Sequence, residues 1–163
     1  MAHVPGLRPT PERVRETLFN WLAPIVEGAR CLDLCAGTGA LGIEALSRGA
    51  GSVWFVEHNP VAVQALRQNL QRLKATGGQV SAADAQVFLA GLAQPMDLVF
   101  MDPPFSLDLW APMARRLEQG GWLAAGATVY VESPRGAVPE LPPNWLQHRE
   151  ATAGEVRFAL YRR

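Results

Sequence analysis

Four carboxylates, Asp33, Glu57, Asp84 and Asp102, each stand at or just after a short apolar run of the kind that forms a buried strand. A strand end reaches solvent, so an acid at any one of them is ordinary. Four at successive strand ends suggest a common purpose, because parallel sheets bind ligands beyond the carboxyl ends of their strands. Ionised carboxylates only accept hydrogen bonds and favour nearby positive charge. A row of them therefore suits a ligand rich in N–H and O–H groups and carrying a cation.

The first acid leads into Asp33-Leu-Cys-Ala-Gly37-Thr-Gly39-Ala-Leu-Gly42. Small residues let the backbone turn tightly and approach a ligand closely. Gly37 to Gly42 fits G-x-G-x-x-G, and Glu57 follows about twenty residues later, which is the dinucleotide-binding pattern. Asp33 argues against a nicotinamide cofactor, because the strand before such a turn is normally apolar throughout. A buried carboxylate there needs a cationic or donor-rich partner, and the α-amino group of S-adenosylmethionine (SAM) would supply one. Glu57 can accept from both ribose hydroxyls of the same molecule, and Asp84 from its adenine 6-amino group. Leu34, His58 and Ala85 are placed to line the cofactor.

The fourth strand end reads Asp102-Pro103-Pro104-Phe105. Two prolines remove two backbone donors and stiffen the turn, so carbonyls there can point at a ligand. An exocyclic amine on a base is a poor nucleophile, because its lone pair is delocalised into the ring. A carboxylate and a fixed carbonyl can accept its two N–H bonds and orient the nitrogen toward an electrophilic methyl. Phe105 offers a face for stacking the base. The chemistry is in-line displacement at a sulfonium methyl, in which positioning alone can lower the barrier by roughly 7–11 kcal/mol. It needs no metal and no covalent nucleophile. Cys31 and Cys35, without a flanking His, make a poor zinc site.

Alternating strands and helices must position these groups. Thr10, Pro11 and Glu12 signal a helix start, and Pro24 ends its pattern. Strands are predicted at 31–34, 52–56, 80–83, 98–101 and 128–132. Helices are predicted at 40–47, from Pro60 with Leu66, Leu70 and Leu73 on one face, at 85–92 and at 109–117. Segments 145–150 and 156–161 around Gly154 read as a hairpin. The order implies an α/β sandwich with a mostly parallel sheet. Residues 1–10 read as an extended arm on a single domain spanning 1–163.

Composition sets the outer limits. The 163 residues are 48% apolar, which suits one packed domain. Fifteen basic groups balance fifteen acidic ones, which excludes a polycationic nucleic-acid coat. Four of the acids are the candidate site residues, and without them the chain carries an excess of four positive charges, weighted to its two ends. A local phosphate-contacting surface is compatible with that excess. No apolar run approaches a membrane span and no signal-peptide core is present. We expect a cytoplasmic chain with reduced thiols and no membrane partner.

Together, D-x-x-x-G-x-G, the acids after the second and third strands and D-P-P-F after the fourth resemble class I SAM-dependent methyltransferases that act on exocyclic or amide nitrogens. The segment Gly6-Leu-Arg-Pro-Thr-Pro-Glu-Arg-Val-Arg-Glu-Thr-Leu-Phe-Asn20, with 39–48 and Tyr130-Val-Glu-Ser133, is similar to the RsmD family. That resemblance implies a Rossmann-like sandwich, with a seven-stranded mostly parallel sheet closed by an antiparallel hairpin. It also implies methyl transfer from SAM to a guanine 2-amino group in bacterial small-subunit (16S) rRNA. The partner would be an assembling or assembled 30S particle, and the enzyme a monomer. Asp33, Leu34, Gly37, Gly39, Glu57, His58, Asp84 and Ala85 would hold the cofactor. Asp102 to Phe105 would hold the base, with Arg8, Thr10 and Arg13 over the target pocket. Family members usually carry a longer basic segment before this point, so the arm is expected to be a shortened one. D-P-P-F alone does not choose among adenine, cytosine and guanine, and a DNA base or a protein amide nitrogen is the alternative substrate.

Overall fold

The fold is laid out by which strands are buried on both faces. A computed structural model of the protein describes residues 11–163. The expected arm, with Arg8 and Thr10, lies outside the described residues. In chain order the elements are α1 (Glu12–Leu22), β1 (Arg30–Leu34), α2 (Ala40–Ser47), β2 (Ser52–Glu57), α3 (Pro60–Arg72) and β3 (Gly78–Ala82). There follow α4 (Ala85–Leu89), β4 (Met96–Met101), a 3-10 turn (Phe105–Leu107), α5 (Trp110–Gln119), β5 (Leu123–Pro134), β6 (Leu146–Ala153) and β7 (Val156–Arg162).

The seven strands form one sheet in the order β3-β2-β1-β4-β5-β7-β6. Neighbours from β3 through β5 are parallel, while β7 pairs antiparallel with both β5 and β6. Strand side chains alternate between faces, and each face has its own core. On one, Cys31, Phe55, Phe100, Tyr130 and Phe158 pack under α1 and α2, with Leu66 of α3. On the other, Leu34, Val56, Met101, Val131 and Tyr161 pack under α4 and α5. The chain leaves β1 toward β2 and β3, then returns to place β4 on the other side of β1. That reversal is the topological switch point where such sheets open a crevice.

Element boundaries differ from the sequence reading for identifiable reasons. Helix α1 starts at Glu12 with Pro11 at its cap position and no side-chain cap. Helix α4 stops at Leu89, and Leu92 beyond it is solvent-exposed. Leu73 caps α3 and is exposed too, instead of extending its buried face. Strand β5 runs for 12 residues because the pairing with β4 skips from Met96–Leu123 to Leu98–Thr128. Gly126, at φ 74°, takes up the slack within that irregularity, and a bulge of this kind leaves no mark on hydrophobic alternation.

The glycine turn is demanded by packing as well as by conformation. A Cβ on Gly42 would collide with the Phe55 ring and stand 2.9 Å from Val53 Cγ1, so only glycine lets α2 lie this close to β2. Gly39, at φ 92°, would meet Leu66 and Ile43. Phe55, Val53 and Leu66 are buried side chains with little room to yield. The expected outcome for Gly42→Ala is a loss of about 1–3 kcal/mol, checked by denaturant unfolding with the midpoint shifted and the slope unchanged.

Candidate active site

Strand register brings two of the predicted acids into a line. Leu34 pairs with Val56 on one side and Met101 on the other, and Met101 pairs with Val131. One residue further along, Glu57, Cys35, Asp102 and Glu132 therefore form a row across four neighbouring strands, with β1 and β4 at its centre. The Cys35 thiol reports the convergence. It is pushed far up by burial first, and then by the negative charges of Glu57, Asp102, Asp33 and Asp84. One side chain thus feels all four predicted acids, so they enclose a common, strongly negative space.

Each acid is held differently. Asp33 is buried, and its Oδ2 accepts the Gly42 N–H at 3.0 Å. That N–H belongs to the first turn of α2, whose N-cap Gly39 offers no side-chain acceptor, so Asp33 caps the helix from the sheet and meets the positive end of its dipole. Part of the donor set expected from a ligand is thus supplied by the chain itself. Burial still dominates: it pushes Asp33 up to about 7, against the Gly42 hydrogen bond and aided by Glu57.

Glu57 is 2% exposed. Its Oε1 accepts from the Gly37 N–H at 2.8 Å, and Oε2 from Asn59 at 2.9 Å. Asn69 of α3 donates to the Thr38 carbonyl at 3.1 Å, so the turn is held at two successive residues. Cys35, Gly37 and Gly39 all have positive φ (58°, 61° and 92°). For Cys35 this left-handed conformation costs about 1–2 kcal/mol, which the surrounding bonds must sustain.

Asp84 is exposed and caps α4, its Oδ1 accepting from Gln86 and Val87 at 2.9 and 3.1 Å. Ala85 is buried behind it, and His58 is exposed with Nδ1 3.7 Å from Glu57. Leu34 is fully buried in the core under α4 and α5, so only its backbone faces a ligand. Arg13 lies exposed in the first turn of α1. Arg15 reaches Glu44 of α2 at 3.8 Å, fastening α1 beside the glycine turn.

Pro103 is buried, and Asp102, Pro104 and Phe105 are half-buried. The Phe105 ring lies 5.7 Å from that of Trp110, tilted at 44°. Trp110 in turn donates its indole N–H to the Glu132 carbonyl at 2.9 Å. The D-P-P-F segment is thus braced from β5. Glu132 itself is the residue the sequence reading passed over. It is fully buried, and Oε2 accepts from Tyr130 at 2.9 Å. The signal was present: like Asp33, Glu57 and Asp102, it is an acid closing an apolar strand.

A sheet with this order, a strained glycine turn after β1 and acids after four parallel strands defines a Rossmann-like, SAM-dependent methyltransferase. Within that class the chain belongs to the RsmD family, whose model, described as conserved hypothetical protein 95, matches residues 1–162. It is 49% identical over 160 residues to the Escherichia coli K12 protein named ribosomal RNA small subunit methyltransferase D, covering 98% of this chain and 81% of that one. The Haemophilus influenzae protein of the same name is 42% identical, with 96% and 83% covered. A solved structure described as putative methyltransferase yhhF from E. coli superposes with a TM-score of 0.91 at 48% identity, over 98% of this chain and 89% of that one.

The raised Asp33 carboxyl predicts a pH dependence. Its folded value lies above its ordinary value of 3.8, so the folded state binds the proton more tightly than the unfolded one. The stability this provides is complete below about pH 4 and is lost as pH rises through about 7. Asp33→Asn keeps an acceptor for Gly42 and does not ionise. Its stability relative to the native chain should therefore increase from pH 4 to pH 7.5, measured by paired denaturant melts; a constant difference would place the ionisation elsewhere.

Proposed function

We propose that the chain transfers a methyl group from SAM to the exocyclic 2-amino group of a guanine in small-subunit ribosomal RNA. The observation that carries the reading is the row of strand-end acids around Cys35 at the switch point, with a proline-stiffened, aromatic-braced turn beside it. The names of the close relatives support ribosomal RNA as the substrate. The similarity of the Arg8 to Asn20 segment supports guanine. We further infer that the enzyme is a monomer and meets the RNA within an assembling or assembled 30S particle.

The cofactor fits the residues present. SAM carries a sulfonium and an ammonium against one carboxylate, and the cleft is negative. Asp33, half-titrated near neutrality when buried alone, gains a cation that favours its ionised form. Glu57 keeps acceptor capacity on both oxygens for the ribose hydroxyls, since each oxygen has two lone pairs and accepts from one backbone donor. Asp84 takes the adenine amino group, with Ala85 and His58 at the cofactor edge. Gly37 and Gly39 let the backbone approach the methionine end. When bound, SAM supplies an electrophilic methyl.

The chain's residues do the rest by positioning. Asp102 accepts one N–H of the guanine amine and a carbonyl of the proline pair accepts the other. The nitrogen lone pair is thereby turned toward the methyl, and the Asp102 carboxylate stabilises positive charge developing on nitrogen. Phe105 stacks on the base. Arg13, with Arg8 and Thr10, contacts the substrate from the α1 side.

Asp102→Ala should lower kcat by about 100- to 1,000-fold while SAM affinity by calorimetry stays within about threefold, since positioning the nucleophile is separate from binding the cofactor. Wild-type kcat in that variant sinks the catalytic assignment. Offering labelled SAM with 30S particles, free rRNA, DNA and protein extract, then mapping the labelled nucleotide, tests the substrate. Label confined to DNA or protein overturns the RNA reading.

A further inference from the structure

Leu107 is 57% exposed. Single exposed leucines are common and mean nothing by themselves. This one is the only large exposed hydrophobic residue between β4 and α5 among the described residues, and it lies two positions after Phe105. Its support is stiff on both sides. Pro104, at φ −56°, precedes the 3-10 turn, and the Leu107 N–H donates to the Pro104 carbonyl at 3.2 Å. Asp108 then reverses the chain at φ 47°. Beneath the turn, the Phe105 ring is braced by Trp110 and through it by the Glu132 carbonyl.

The flanking side chains narrow what such a projection can meet. Ser106 and Asp108 are exposed and bring no positive charge, so the turn is ill suited to gripping a phosphate. An apolar side chain on a rigid turn is suited to base faces instead. Taking a guanine out of a stacked strand costs the stacking on both sides and leaves a gap with apolar walls. Proteins that unstack nucleic acid commonly fill such gaps with a Leu, Phe, Ile or Met wedge.

We propose that Leu107 is the wedge that enters the RNA stack where the target guanine leaves it. It would hold the base outward while Phe105, on the same turn, receives it. The proposal rests on the reading of the chain as an RNA guanine methyltransferase and deepens it. Leu107 acts on the neighbours of the reacting base and not on the base itself, so it is a positioning residue.

The test compares wild type, Leu107→Ala and Leu107→Met on two RNAs spanning the mapped target. In one the guanine is in its native sequence and fold; in the other it is bulged and unpaired. Leu107→Ala should lower kcat/KM on the native RNA by about tenfold, with SAM affinity unchanged, and Leu107→Met should retain most activity. On the bulged RNA, Leu107→Ala should come within about twofold of wild type, since the cost of extrusion has been removed in advance. Equal loss on both RNAs, or no loss on the native one, overturns the wedge while leaving the substrate reading intact. Loss on 30S particles without loss on free RNA also overturns it, in favour of a protein contact. A wild-type enzyme that labels neither these RNAs nor 30S particles overturns the substrate reading, and the wedge with it.

Discussion

The Glu57 carboxylate reaches back twenty residues to take the Gly37 N–H at 2.8 Å, and the geometry of the cleft depends on that bond. The turn after β1 must leave the sheet, reverse through three positive-φ residues and deliver α2 onto the sheet face. Nothing in local propensity favours such a path for Cys35. What holds it is a set of tertiary acceptors and donors: Glu57 on Gly37, Asn69 on Thr38 and Asp33 on Gly42. Two of the acids read as ligand-binding are therefore also the fasteners of the site they belong to. A bond from a buried carboxylate to a backbone N–H is charge-assisted and strong, which is how the turn stays in place without a side-chain cap on α2.

The same carboxylates make the cleft electrostatically costly. Asp33, Glu57, Asp102 and Asp84 all act on one half-buried thiol, and Asp33 is pushed up to about 7 by burial above all. A sheet edge that concentrates like charges in low dielectric is poised for a cation. The formal neutrality of the chain conceals this. It is the sum of an acidic interior crevice and a modestly basic remainder, and the two are suited to different parts of one reaction.

The D-P-P-F side is built on another physical basis. Where the glycine turn is held by hydrogen bonds that buried acids accept, the D-P-P-F turn is stiffened by prolines and held through aromatic packing onto Trp110 and the β5 carbonyl at Glu132. That arrangement couples β5 to the segment after β4. It also brings β5 and the Tyr130-Val-Glu-Ser133 stretch against the D-P-P-F segment, although neither was assigned a role from the sequence.

Much was legible before any coordinates. The alternation of apolar runs and amphipathic segments determined the α/β class, and acids at run ends marked the carboxyl edge, because hydrophobic period and strand termination are local properties of the chain. D-P-P-F and the glycine turn carried their meaning in residue type alone. The sequence could not reveal the row Glu57–Cys35–Asp102–Glu132, which exists only through inter-strand register. Nor could it show that Asp33 spends one oxygen on Gly42, that Leu34 turns into the core, or that β5 runs past a bulge at Gly126 to twice the expected length. Those outcomes were decided by which strands lie side by side. Register is a property of pairs of distant segments, and burial sets a carboxylate's charge only after both segments are in place.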